Sequence, residues 1–209
     1  MVQQAEEKEN TKARILDYAR DRFFEVGFAR VSVDDITSEL GMSKKTFYKH
    51  FERKEDLVSE IISRVLGNTG RRVQEIAAMP DPFPAKIDAL VRVLGTVFRT
   101  ISKHMLRDLQ LHCPEVWNRI QVFRREHILA IWSTLIEEGK RTGYVRPEIN
   151  QQVFMLSLFA TVENIINPAV LVNQPFSCDE ALESIIAIYL TGILTPDAAQ
   201  TLSRLQHTS

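Results

Sequence analysis

Cysteine is scarce in this chain of 209 residues, and the two present, Cys113 and Cys178, are far apart and form no C-x-x-C pair. That argues against a disulfide framework and a thiolate zinc site, and fits a reducing compartment. An excess of one charge is lacking too: 26 Lys and Arg face 27 Asp and Glu, a formal net charge of −1. With no overall field, any affinity for a polyanion must reside in a local patch, balanced by acid elsewhere, such as Glu6, Glu7 and Glu9. There is no long uninterrupted apolar run. The most apolar segment, Val153 to Val172, carries Glu163, Asn164, Asn167 and Pro168, which argues against a membrane span. The N-terminus has no apolar stretch of the secretory kind. A Gly-rich phosphate loop, an H-E-x-x-H and a G-x-S-x-G elbow are all missing. His104, His112 and His127 share no metal-ligand spacing with an acid or thiol. The expectation is therefore no catalytic residue, no metal and no cofactor.

What is present is concentrated between Ser32 and Phe51, SVDDITSELGMSKKTFYKHF. Ser32 can cap a helix, with Asp35 three residues on as an Asp variant of the capping box. Val33, Ile36 and Leu40 recur at helical spacing, and Gly41 offers a left-handed stop. Ser43 can cap a second helix, in which Phe47 and Phe51 share a face. Two helices closed by a short Gly-containing turn make a helix-turn-helix, here residues 32–51. At ~100° per residue, with Phe47 pointing inward, Lys45 and Lys49 point outward, flanked by Thr46 and Tyr48. Lys44 lies nearer the buried edge in the first turn, and Arg53 and Lys54 extend the charge. Lysine can meet phosphate or guanine acceptors, threonine a base edge or thymine methyl, tyrosine a phosphate oxygen. Two lysines alone would read as a solvated helix face. The turn and the basic run from Lys44 to Lys49 favour nucleic acid.

The block from about Thr11 to Leu57 resembles the DNA-binding domain of the TetR (tetracycline repressor) family of bacterial transcriptional regulators. The likeness is carried by ARILDYARDRFFEVGF and by SVDDITSELGMSKKTFYKHFERKEDL. It implies that Lys44, Lys45, Thr46, Tyr48 and Lys49 meet DNA, that Lys54 contacts phosphate, and that Ser32 and Thr37 sit where the supporting helix nears the backbone. It implies a bacterial cytoplasmic protein at the nucleoid, whose partners are a double-stranded DNA operator, a second copy of itself and a small apolar or amphipathic effector.

The remaining chain also reads as helical, giving an all-α fold. A DNA-binding domain over 9–69 precedes a C-terminal regulatory and dimerisation domain over 70–209. The first helix is expected from Asn10 or Thr11 to Val26, after a frayed start. A helix from Lys54 is expected to weaken or bend at Gly67 and Gly70 and to stop at Pro80, Pro82 and Pro84. Further helices follow over Ala85–Ser102, around Met105–Leu111, and from Pro114 to about Arg141. Ile149–Ile166 and Ala181–Leu194 are apolar nearly all round, so both sides need cover. A two-fold dimer seam through Phe154, Leu158, Ile186, Tyr189 and Ile193 would supply it; a monomer burying both helices centrally is the alternative. The resemblance implies an effector pocket among the central helices, with Phe98, Met105, Trp117, Phe123, Trp132 and Phe159 as its lining. Glu163, Asn164 and Asn167 either line that pocket or bond across the seam. The leading reading is a ligand-responsive homodimeric repressor. The competing ones are a small-molecule binder with a vestigial helix-turn-helix and a helical enzyme.

Overall fold

Apolar residues at three- and four-residue spacing produce twelve α-helices in a computed structural model that describes residues 2–207. Among the described residues the extended pairing is confined to one bridge between Val145 and Leu194. Helix α1 (Val2–Val26) begins earlier than expected, because Thr11 does not cap it: its hydroxyl donates to the Glu7 carbonyl at 2.8 Å, inside the helix. Gly27, at φ +99°, ends it. In α2 (Val33–Glu39) the capping box forms: Ser32 Oγ accepts from the Asp35 amide, and the Asp35 carboxylate accepts from the Ser32 amide. Hydrogen bonds from Ser32 hold the Asp35 carboxyl below its usual range. Gly41 adopts φ +62°, and Ser43 caps α3 (Lys44–Tyr48).

Helix α4 (Lys54–Ala78) runs through Gly67 and Gly70 without interruption. The residue 69/70 boundary falls inside it. Its first half buries Leu57, Val58, Ile61 and Ile62 in the N-terminal core with Ile15, Phe23, Ile36, Phe47 and Phe51. Its second half buries Val73 and Ile76 in the C-terminal core. The N-terminal core also recruits Met105 and Leu109 of α6 (Lys103–His112) and Val116 and Ile120 of α7 (Pro114–Phe123). A core of three short helices is small, and these two helices complete it. The Ser102 amide donates to the Phe24 carbonyl, and the Ala29 amide to Asp108, joining α6 to the end of α1.

In the C-terminal body, α5 (Phe83–Thr100) packs against α4, α8 (Leu129–Arg141), α11 (Cys178–Ile193) and α12 (Pro196–His207). Lys86 is buried on α5 and pairs with Glu138 of α8 at 2.9 Å. The single long helix expected from Pro114 is interrupted: Arg124–Ile128 forms a π-helical turn, with the Leu129 amide bonded to the Arg124 carbonyl. The short helix α10 (Pro168–Leu171) follows α9 (Gln151–Ile165).

The expected seam residues are internal. Phe154, Leu158, Ile186 and Ile193 are buried within the chain. Tyr189 bonds Thr161 at 2.7 Å and packs edge-on against Phe154, tying α11 to α9. The apolar side chains left outside are Val153, Leu156 and Ile188, at 61%, 63% and 70% exposure. All-round apolarity did exist in these helices, but the outward side is phased one or two residues away from the side expected.

Two glycine substitutions separate packing from propensity. At Gly139 an added Cβ would lie 2.6 Å from Val145 and 2.8 Å from Phe83, so Gly139→Ala should cost about 1–3 kcal/mol. Gly67 has open space beside it, so Gly67→Ala should gain about 0.5–1 kcal/mol from helix propensity. Urea unfolding of both variants measures the opposite signs.

Candidate nucleic-acid interface and effector cavity

The cationic face stands on aromatic anchors. Phe47 is fully buried, with Phe51 5.8 Å away between ring centroids and Tyr48 edge-on at 5.4 Å. With Phe47 pinned, Lys44, Lys45, Tyr48 and Lys49 are all exposed. Thr46 is half-buried and shares a hydrogen bond with Ser43 at 3.0 Å. The helix is shorter than expected: Lys49 is its C-cap, and a turn brings Phe51 back onto the Phe47 carbonyl at 3.1 Å. Lys44 is not near a buried edge. It pairs with Asp34 of α2 at 2.6 Å, and that carboxylate raises its pKa.

Other expected contacts are placed differently. Thr37 is 5% exposed and donates its hydroxyl to the Val33 and Asp34 carbonyls, so it is no free donor for a phosphate. Ser32 is exposed, with its hydroxyl committed to Asp35. Lys54 turns inward: its ammonium donates to the carbonyls of Phe28 and Val31 at 2.9 and 2.8 Å and sits 4.1 Å over the Phe28 ring. Burial lowers its pKa. Lys8 and Lys12 of α1 lie close enough to act on His50 beside the face, and Lys12 is paired with Glu60 at 2.8 Å. His50 has its pKa lowered by burial first, then by the charges of Lys8, Lys12 and Lys49. The i,i+4 spacing of Lys8 and Lys12 was the available signal, hidden by starting the helix too late.

A cavity of about 110 Å³ lies between α4, α5, α7, α8, α9 and α11. Phe98, Phe123, Trp132 and Phe159 line it, with Ile62, Leu66 and Thr69 contributed by α4. The other four expected lining residues do not. Met105 is in the N-terminal core, and Trp117 sits at the edge of both cores. Glu163 faces Arg125 at 4.0 Å, and Asn167 caps α10 by accepting from the Ala169 amide. Asn164 is exposed and bonds its own helix at the Ala160 carbonyl.

One charged residue reaches the cavity wall, and the sequence reading passed over it. Arg124 opens the π turn. Its guanidinium lies 5.4 Å from the Phe98 ring centroid and 6.0 Å from that of Trp117, and donates to Gln121 Oε1 at 3.2 Å. Burial pushes its pKa down to about 10, so it remains charged at neutral pH. The side chain is half-buried and is one of the residues that line the cavity. The signal was positional: Trp117, Ile120, Arg124, Ile128 and Ile131 fall on one helical stripe, and Arg124 is its charged member.

A family model described as "Bacterial regulatory proteins, tetR family" matches residues 15–61. The chain is 22% identical over 169 residues to the uncharacterised HTH-type transcriptional regulator YvaF of Bacillus subtilis, covering 80% of this chain and 88% of that protein. It is 23% identical over 196 residues to the HTH-type transcriptional repressor KstR2 of Rhodococcus jostii, covering 90% and 94%. The fold is similar to the crystal structure of FadR from Bacillus subtilis in complex with stearoyl-CoA: TM-score 0.62, 18% identity, 87% of this chain and 98% of that one. No helix among the described residues is long and apolar enough to cross a membrane.

Lys54→Met would remove a donor from two carbonyls in the loop before α2, leaving Phe28 only the long 3.5 Å bond from the Val31 amide. Unfolding in urea should show a loss of about 1–3 kcal/mol. An unchanged midpoint would show that the ammonium is not a staple.

Proposed function

The chain belongs to the TetR family of bacterial transcriptional regulators, and from that premise we propose that it represses as a homodimer whose grip on DNA is released by a small ligand. It is a DNA-binding regulator of the helix-turn-helix type. The observation that carries the reading is the exposed Lys45–Tyr48–Lys49 surface on a helix locked from behind by Phe47. Rigid seating fixes where the cations project, and phosphate contacts made from fixed positions set register on the duplex. Exposed Lys8 widens the basic surface, while Lys12 is paired with Glu60 at 2.8 Å. Asp34 beside Lys44 limits indiscriminate attraction, since a carboxylate is repelled by phosphate unless the lysine partners it.

Two such helices must be held at a fixed separation. The exposed Val153, Leu156 and Ile188 on α9 and α11 support a two-fold helical seam there, with small residues Ala160, Ser184 and Ala187 also exposed. The half-sites of the operator would then lie one turn, ~34–36 Å, or a multiple of it apart.

The cavity and the reader share α4. Phe123 packs 3.3 Å from where a Cβ on Gly70 would stand, and Arg119 donates to the Ser59 and Ser63 hydroxyls. A ligand that moves α7 therefore pushes on α4, which bears the helix-turn-helix at its other end. The ligand shifts the equilibrium only by its preference for one α4 orientation over the other. The stearoyl-CoA held by FadR supports ligand binding in this fold in general.

Fluorescence anisotropy on DNA selected from a random pool tests the reader. Lys49→Ala and Tyr48→Phe should weaken binding without lowering thermal stability, and log affinity should fall with log salt at about −0.9 per phosphate neutralised. Unchanged affinity, or a flat salt dependence, would contradict it and favour a vestigial helix-turn-helix. Ile188→Glu should yield monomers in sedimentation; an intact dimer would put the seam elsewhere.

A further inference from the structure

Arg124 is a half-buried cation without a counter-ion among the described residues. Among the described residues it makes no ion pair, and Gln121 is its one hydrogen-bond partner, leaving most of its five N–H donors unanswered. The groups facing it do not neutralise it. Glu163 is the acid whose field reaches it, but that carboxylate is directed at Arg125. The Cys178 thiol also faces it, and burial raises that thiol's pKa, so it is uncharged at neutral pH. The rings of Phe98 and Trp117 offer only their faces. A charge taken out of water and left unpaired is unfavourable, yet this one is placed on the wall of an otherwise apolar cavity.

We propose, building on the reading of this cavity as the effector site, that the effector is an amphipathic monocarboxylate: its carboxylate pairs with Arg124 and its apolar body fills the space between Phe98, Phe123, Trp132 and Phe159. The guanidinium presents a planar fork that matches a carboxylate with two parallel hydrogen bonds. At about 110 Å³ the cavity is somewhat smaller than the ~150 Å³ space that takes up benzene in an engineered protein core. A small ring or short chain enters with little rearrangement, and a longer one must part the wall. The π turn at Arg124–Ile128 is the part of that wall whose helical bonding is already irregular, as π-bulges at functional sites commonly are. Pairing at its first residue would therefore act on α7 and, through Phe123, on α4.

Calorimetric titration of the full-length protein with matched pairs tests this: octanoate against octanol and benzoate against benzyl alcohol, with octylamine as the cationic control. The acid should bind wild type at least about tenfold more tightly than its alcohol, and the amine should be rejected. In Arg124→Met the acid preference should vanish while the alcohol binds as well or better. The same variant should melt at a higher temperature than wild type without ligand, because a partly desolvated charge with no ion pair is gone; a residue with only a packing role would not give that sign. Equal affinity for acid and alcohol in wild type, or an acid preference that survives Arg124→Met, overturns the carboxylate assignment while leaving the cavity as the effector site. If neither acid nor alcohol of either pair binds, both the assignment and the effector site fall.

Discussion

Everything in this molecule depends on one helix serving two cores. Between Leu57 and Ile62, α4 closes the hydrophobic centre beneath the reading helix; between Val73 and Ile76 it closes the centre of the C-terminal body. In between, Ile62, Val65, Leu66 and Thr69 form a wall of the cavity. An unbroken helix with close-packed side chains at both ends transmits displacement because its interior has little room to absorb it. The N-terminal core alone would be too small to hold such a lever firmly. It gains firmness by enlisting α6 and α7 from the opposite half, so the helix-turn-helix end and the cavity end share contacts as well as a helix.

Electrostatics in this chain is local. With a net charge of −1, attraction to a duplex would have to come from where a few cations are held. Phe47 sets the orientation of Lys45 and Lys49, the capping box at Ser32 sets that of α2, and Asp34 tethers Lys44. Lys54 shows the complementary use of charge: its ammonium ties the loop carrying Phe28 and Val31 to the start of α4. Arg124 follows neither pattern. Its charge is half-buried and makes no ion pair among the described residues, a condition under which an anionic ligand would gain from arriving.

The helix-turn-helix was legible because its signals are short-range. Ser32, Asp35, Gly41, Ser43 and Phe47 each act within one turn, and the structure seats them as their chemistry requires. Helix existence was legible almost throughout. Phase and partner were not. In α9 and α11, where nearly every residue is apolar, periodicity cannot say which side is buried, so Ile186 was taken for Ile188. Met105 was read as a cavity residue because nothing local to it reveals that the N-terminal core borrows from α6. The inward turn of Lys54 depends on carbonyls more than twenty residues away. Arg124 lay in plain view on an apolar stripe, but only the three-dimensional arrangement shows that no acid comes to meet it.

Dipolar spectroscopy on the dimer labelled through Glu52→Cys, an exposed site just beyond the reading helix, tests the coupling most directly. The separation of the two labels should change when the cavity is saturated with the tightest-binding ligand, from a value compatible with successive major grooves to one that is not. A distance distribution identical with and without bound ligand would contradict the account, since α4 would then carry nothing from one core to the other.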